Sequence, residues 1–142
     1  MLNSKDIGTR LVNINLNNHN KAHICRAALE GIAFSFVYGM EIMKSDGIEV
    51  KVMLAVIYNL FRSDIFSNTV ATLIGHEIEI YNTTGAIGAA RASGLHEGDF
   101  ETFGKYITDN DHVMTYMPFK DKQPYLEAYQ LWKNELELII NK

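Results

Sequence analysis

The chain has one cysteine, two prolines and one tryptophan, and no excess of positive charge. A single thiol, Cys25, cannot form an internal disulfide, so the fold must stand on its core. With a formal net charge of -4 there is no basic face of the kind that holds nucleic acid or an anionic membrane surface, and neither partner is expected. No apolar run reaches the roughly 20 residues needed to cross a bilayer. No opening stretch pairs a basic start with an apolar segment, so a cytoplasmic location is the expectation. What is present is 142 residues with 47% hydrophobic content, enough for one domain with a proper core and too little for two lobes with a site between them. The domain is therefore expected to span residues 1–142.

Hydrophobic periodicity orders the elements. Lys21 to Lys44 reads as one long helix, with Cys25, Leu29, Ile32, Phe36, Met40 and Met43 recurring at spacings of four and three as its core face. Beside that face runs a stripe of small residues, Ala28, Gly31, Ser35 and Gly39, which suggests close approach of another backbone. Asn18 or Asn20 can cap the start, Arg26 and Glu30 pair across one turn, and Gly47 supplies a left-handed stop. Ile48 to Ile57 then alternates before turning continuously apolar, as in a strand whose second half is buried on both faces. Ser63 or Asp64 caps a second helix bearing Phe66, Val70 and Leu73, which Gly75 ends.

His76 to Tyr81 is a second strand, and Asn82-Thr83-Thr84 caps a helix of small residues from Gly85 to Ser93 that Gly94 terminates. Asp99 can cap a short helix with Phe100, Phe103 and Ile107, Val113 to Met117 is a further extended segment, and Thr108 to Asp121 is otherwise open. Pro124 begins a final helix with Tyr125, Tyr129, Trp132, Leu136 and Ile139 on one face. Helices alternating with strands predict an α/β layer with a mixed or parallel sheet.

Three small constellations carry a chemical reading beside a structural one. His19 and His23 have metal-ligand spacing but no third ligand, and read better as polar residues at a helix start. Gly85 and Gly88 open a helix after a strand, where a phosphate could sit, yet packing of small residues explains them better. Cys25 is expected as a buried thiol on the core face, while Glu97, Asp109 and Asp111 are assigned no chemistry.

The stretch His23-Ile24-Cys25-Arg26-Ala27-Ala28-Leu29-Glu30 meets position by position the end of the second signature of the FGGY carbohydrate kinases, and Glu77 to Gly94 resembles the strand and small-residue helix that follow the nucleotide loop in xylulokinase-like members. Tyr125 to Trp132 resembles the end of those enzymes, so the likeness covers most of the chain. It implies an actin-like, ribonuclease-H-like ATPase domain, in part, from the C-terminal half of an ATP- and Mg-dependent sugar kinase. The catalytic base and the sugar pocket of such enzymes belong to the first domain, so no catalytic residue is assigned here, and the expected partner is that N-terminal lobe or a second copy of the chain.

Where family members carry Gly-Gly-Gly-Ala-x-Ser, this chain has Tyr58-Asn59-Leu60-Phe61-Arg62-Ser63, retaining only Ser63. Another branch has Arg-Ala-Gly-x-x-Asn, against which Ala55 and Asn59 match while Leu54 replaces the cation and Val56 the glycine. Asn59, Arg62 and Ser63 are the expected nucleotide-lining residues. The competing expectation is a non-catalytic remnant that self-associates through its uncovered apolar surface.

Overall fold

The computed structural model describes residues 8–48, 52–93, 95 and 100–141. Helix α1 (Lys21–Ser45) begins where Asn20 leaves extended backbone and its side chain accepts from the amides of Ala22 and His23, while the His23 ring reaches back to the Asn20 amide. Its end is set by Gly47, whose φ of +85 continues the chain without the clash a Cβ would meet. Strand β1 (Met53–Val56) leads through a 3-10 turn at Leu60–Arg62 into α2 (Asp64–Ile74), and β2 (Ile78–Tyr81) into α3 (Gly85–Ala92). Then come α4 (Phe100–Asp111), β3 (His112–Tyr116) and α5 (Gln123–Ile140). Asp99 and Gly94 lie outside the described residues, as do the side chains of Phe100, Phe103 and Ile107.

The sheet runs β1-β2-β3, with β1 parallel to β2 from Met53↔Ile78 to Val56↔Tyr81 and β3 antiparallel from Ile78↔Tyr116. It is mixed, as the order of elements predicts. A parallel neighbour needs a crossover, and α2 provides it, running back along one face of the sheet. On that face Ile78 and Ile80 of the central strand meet Phe66, Val70 and Ala71 of α2, Ala33, Phe34 and Val37 of α1, and Tyr129 of α5. The polar groups buried on α2 are all satisfied: Ser67 Oγ donates to the Phe61 carbonyl at 2.9 Å, Thr69 Oγ1 to the Ile65 carbonyl at 2.6 Å, and Thr72 Oγ1 accepts from the Phe119 amide at 3.1 Å.

Three expectations are corrected. The buried strip of α1 is Ala33, Phe34 and Val37, whereas Ile32, Phe36 and Met43 of the expected core stripe stay more than two-fifths exposed and Cys25 is exposed. Both strips are apolar, so period alone cannot rank them. The one carrying Ala33 and Val37 lets α2 approach closely, and α5 closes over Phe34. At Gly31 the small-residue stripe meets a side chain rather than a backbone, since a Cβ there would stand 4.0 Å from the indole nitrogen of Trp132, while Ala28 and Ser35 are exposed. Strand β1 is not buried on both faces: Met53 and Ala55 join the core, but Leu54 is 62% exposed on the other face. The strand is an edge, and the row Leu54, Glu79, Thr115 has no helix over Leu54 among the described residues.

The aromatic face of α5 behaves as expected. Tyr129 is 6% exposed, its ring stacks with Trp132 at 6.1 Å between centroids, and Phe34 meets both at 5.7 and 6.0 Å. None of the helices in the described residues is long and apolar enough to cross a membrane.

Candidate functional site

In an open sheet, parallel strands direct their carboxyl ends and the start of the following helices to one edge, and ligands bind there. Here that edge is made by Ile57–Ser63 after β1 and Asn82–Thr84 after β2. Two bonds join the segments: the Ile57 amide donates to the Tyr81 carbonyl at 2.9 Å, and Tyr58 Oη donates to Asn82 Oδ1 at 3.3 Å. The Asn82 amide in turn donates to the Asp111 carbonyl at 2.7 Å, tying the end of α4 to the same edge. Arg91 of α3 forms an ion pair with the carboxylate of Asp111, which gives that acid a structural part.

The turn into α2 is built from its own polar side chains. Asn59 has φ 102 and ψ -157, a region of backbone space that is essentially glycine's. Its Oδ1 accepts from the Phe61 amide at 3.0 Å, which opens the 3-10 turn. Ser63 closes that turn, its amide donating to the Leu60 carbonyl at 2.9 Å, and its Oγ accepts from the Phe66 amide at 3.4 Å as the cap of α2. The Arg62 guanidinium between them is exposed and makes no hydrogen bond or ion pair with the described residues.

Asp64 at the first position of α2 accepts from Tyr116 Oη at 2.7 Å, and burial together with that acid pushes the Tyr116 phenol up to about 12. Thr84 caps α3 by accepting from the Ile87 amide at 3.2 Å. Asn59, Arg62 and Ser63 therefore belong to one turn, two of them as caps and one as an uncommitted cation. Val56, which stands where one branch of the family carries a glycine, is ordinary half-buried strand, and the positive φ of this turn falls at Asn59.

His19 Nδ1 accepts from the Asn15 amide at 3.1 Å, which puts the neutral ring's proton on Nε2 and leaves no lone pair for a metal. His23 Nδ1 lies 3.3 Å from the Asn20 amide and 3.0 Å from its Oδ1, within the capping box of α1. Among the described residues no three His, Cys, Asp or Glu side chains converge as a metal site would require. The expected packing of small residues at Gly85 and Gly88 is corrected: a Cβ on either would meet nothing within 4 Å among the described residues, so close packing does not account for these glycines.

Residues 4–95, well over half of the chain, match the model of the FGGY family of carbohydrate kinases, C-terminal domain. The chain belongs to that family. Among curated proteins it is similar to the L-xylulose/3-keto-L-gulonate kinase of Escherichia coli (strain K12), 27% identical over 121 residues that make up 84% of this chain and 23% of that kinase. Among solved structures it is similar to xylulose kinase from Rhodospirillum rubrum, with a TM-score of 0.71 at 17% identity over 92% of this chain and 28% of that one. The second likeness bears on the fold and agrees with the actin-like, partial domain that the signature implies. The FGGY chain thus spans about a quarter of the length of the kinases it matches. The His23–Glu30 signature sits in the first turns of α1, where its contribution is a capping box and the Arg26–Glu30 ion pair at 2.8 Å.

Proposed function

We propose that this FGGY domain is the nucleotide-side part of an ATP-dependent carbohydrate kinase of the xylulokinase type, acting on a pentulose or related sugar only together with a complementary lobe. The observation that carries this reading is the joined edge at the carboxyl ends of β1 and β2, where the helices α2 and α3 begin and Arg62 stands exposed. The donor set fits a nucleotide as far as one cation and two helix starts go: Arg62 would hold a phosphate oxygen, with Asn59 and Ser63 lining the turn. ATP, when bound, supplies the phosphoryl group and brings Mg on its own phosphates and water, so the chain need not offer a metal cage. Phosphoryl transfer is mostly positioning and charge stabilisation, and in this reading the proton acceptor and the sugar pocket come from the complementary lobe. Catalysis is therefore assigned to the assembled protein.

Titration calorimetry of the chain with ATP-Mg tests this. Binding at millimolar affinity or tighter, weakened several-fold by Arg62→Ala and by added salt, is the expected result; no heat at millimolar nucleotide would refute it. A second reading, a non-catalytic module that associates with itself, is favoured by the exposed apolar residues on α1 and β1.

A further inference from the structure

Among the described residues three phenylalanine, tyrosine or tryptophan side chains are exposed: Phe36, Tyr58 and Phe119. Phe36 has Phe61 and Phe66 against it and Phe119 has Tyr125. The Tyr58 ring, 53% exposed, meets no other ring and no cation among the described residues. An aromatic face left open is apolar surface that a flat ligand covers. Its place decides which ligand, since Tyr58 follows the carboxyl end of β1, on the edge where the nucleotide reading puts the phosphates.

Tyr58 is held at both ends. Its hydroxyl donates to Asn82 Oδ1 at 3.3 Å across the edge. On the backbone, the Ile57 amide before it donates to the Tyr81 carbonyl at 2.9 Å, and the Asn59 side chain after it accepts from the Phe61 amide at 3.0 Å. A tyrosine has two side-chain torsions, and the hydroxyl bond restrains both before a ligand arrives, so little ordering entropy remains to oppose stacking. Arg62 lies within reach of the same ligand. Its amide donates to the Asn59 carbonyl at 3.2 Å and closes a four-residue turn. The Asn59 and Arg62 Cα atoms then stand within about 7 Å, and Tyr58 adds one Cα step of about 3.8 Å, so ring and guanidinium stem from points at most about 11 Å apart. One nucleoside triphosphate covers that span from its base to its terminal phosphates.

We infer that Tyr58 is the base platform of this site: the nucleobase stacks on the open face of its ring while Arg62 takes the phosphates. Resting on the nucleotide reading, the platform adds to it a means of telling a nucleoside triphosphate from bare polyphosphate. Arg62 and the helix starts attract both ligands alike, and the ring adds affinity only for the one that carries a base. Stacking a base on an aromatic side chain is worth roughly 5- to 150-fold in affinity.

Titration calorimetry of the full chain with ATP-Mg and with tripolyphosphate-Mg tests the platform and the nucleotide reading separately. ATP is expected to bind about five-fold or more tighter than tripolyphosphate. Tyr58→Ala should remove that preference by weakening ATP alone, and Tyr58→Phe, which keeps the ring and loses the bond to Asn82, should retain most of it. Arg62→Ala should weaken both ligands to the same degree. Equal binding of the two ligands by the wild type overturns the platform and leaves the nucleotide reading standing. So does a preference that survives Tyr58→Ala, or a loss of tripolyphosphate binding that matches the loss of ATP, which would make Tyr58 a strut of the turn. A Tyr58→Phe variant as weak as Tyr58→Ala also overturns it, because the bond to Asn82 and not the ring would then carry the effect. Heat from neither ligand refutes the nucleotide reading, and the platform with it. Because the Tyr58 ring is largely in solvent, an unchanged circular dichroism spectrum of each variant separates lost stacking from lost folding.

Discussion

Asn59 is the residue whose substitution speaks most directly to how the turn after β1 is made. At φ 102 and ψ -157 its Cβ is held where side chains are seldom found, at a cost of about 1–3 kcal/mol. Asn59→Gly relieves this strain. It also gives the unfolded chain extra freedom, worth about 0.4–1 kcal/mol, and gives up the bond from the Phe61 amide, worth about 0.5–1.5 kcal/mol. These effects nearly cancel, so the glycine variant taken alone should lie within about 1 kcal/mol of the wild type. Asn59→Ala decides the matter: it keeps the strain, loses the same bond, and should fall about 1 kcal/mol below the wild type. The glycine variant should then exceed the alanine variant by about 0.5–2 kcal/mol, whereas at a residue with negative φ alanine is ahead by about 0.4–1 kcal/mol. Urea unfolding followed by circular dichroism, with the slope common to all three proteins, reads the order from the midpoints. An alanine variant at least as stable as the glycine variant would refute the strain argument.

Three further outcomes follow from the core and its edges. Gly31→Ala should stabilise the chain by about 0.5–1 kcal/mol through helix propensity, since its Cβ would lie at ordinary contact from Trp132; a fall in melting temperature would mean that the ring sits closer than 4.0 Å. Ile80→Ala, at a side chain 1% exposed, should cost about 2–5 kcal/mol and Leu54→Ala under 1 kcal/mol, a contrast that chemical denaturation of the two variants would expose and that equal losses would contradict. The Tyr116 phenol, raised to about 12 against 10 in the unfolded chain, contributes stability that is whole below pH 10 and disappears as pH climbs through 12, because the unfolded state gives up its proton first. Tyr116→Phe should flatten that decline, as followed by unfolding midpoints between pH 9 and 12; an unaltered slope would count against the burial and the Asp64 bond as its cause.

Much of the fold was legible because local signals agreed with tertiary packing. Asn20, Ser63 and Thr84 mark helix starts by chemistry that acts within three residues, and Gly47 and Gly75 mark helix ends by a backbone conformation only glycine takes cheaply. The aromatic stripe of α5 was readable because large rings on one helical face have few places to go but inward. The buried strip of α1 was not, since two neighbouring apolar strips are equivalent in period and only α2 and α5 choose between them. At the candidate site the residues of the turn were singled out by their register against a known signature, which says nothing of their conformation. The positive φ at Asn59 follows from the path the chain must take from β1 into α2, and a residue that is not glycine gives no sign of it.

The misreading of β1 is itself informative. Met53-Leu54-Ala55-Val56-Ile57 has the composition of a strand covered on both faces and flanked on both sides, because in a parallel sheet neither water nor charge reaches such a strand. The structure leaves that strand at an edge with Leu54 in solvent. Sequence and structure disagree about the surroundings, and each is physically sound on its own terms: the alternation of Met53 and Ala55 inward matches the core, and the outward residues match a surface that is elsewhere covered. The same holds for α1, on whose second apolar strip Phe36 meets Phe61 and Phe66 while Ile32 and Met43 stay exposed. An edge written as an interior implies a neighbouring strand, and an apolar helix flank left in solvent implies something beneath it. The kinases the chain matches are about four times its length, and the complementary lobe proposed above is one source of such a strand.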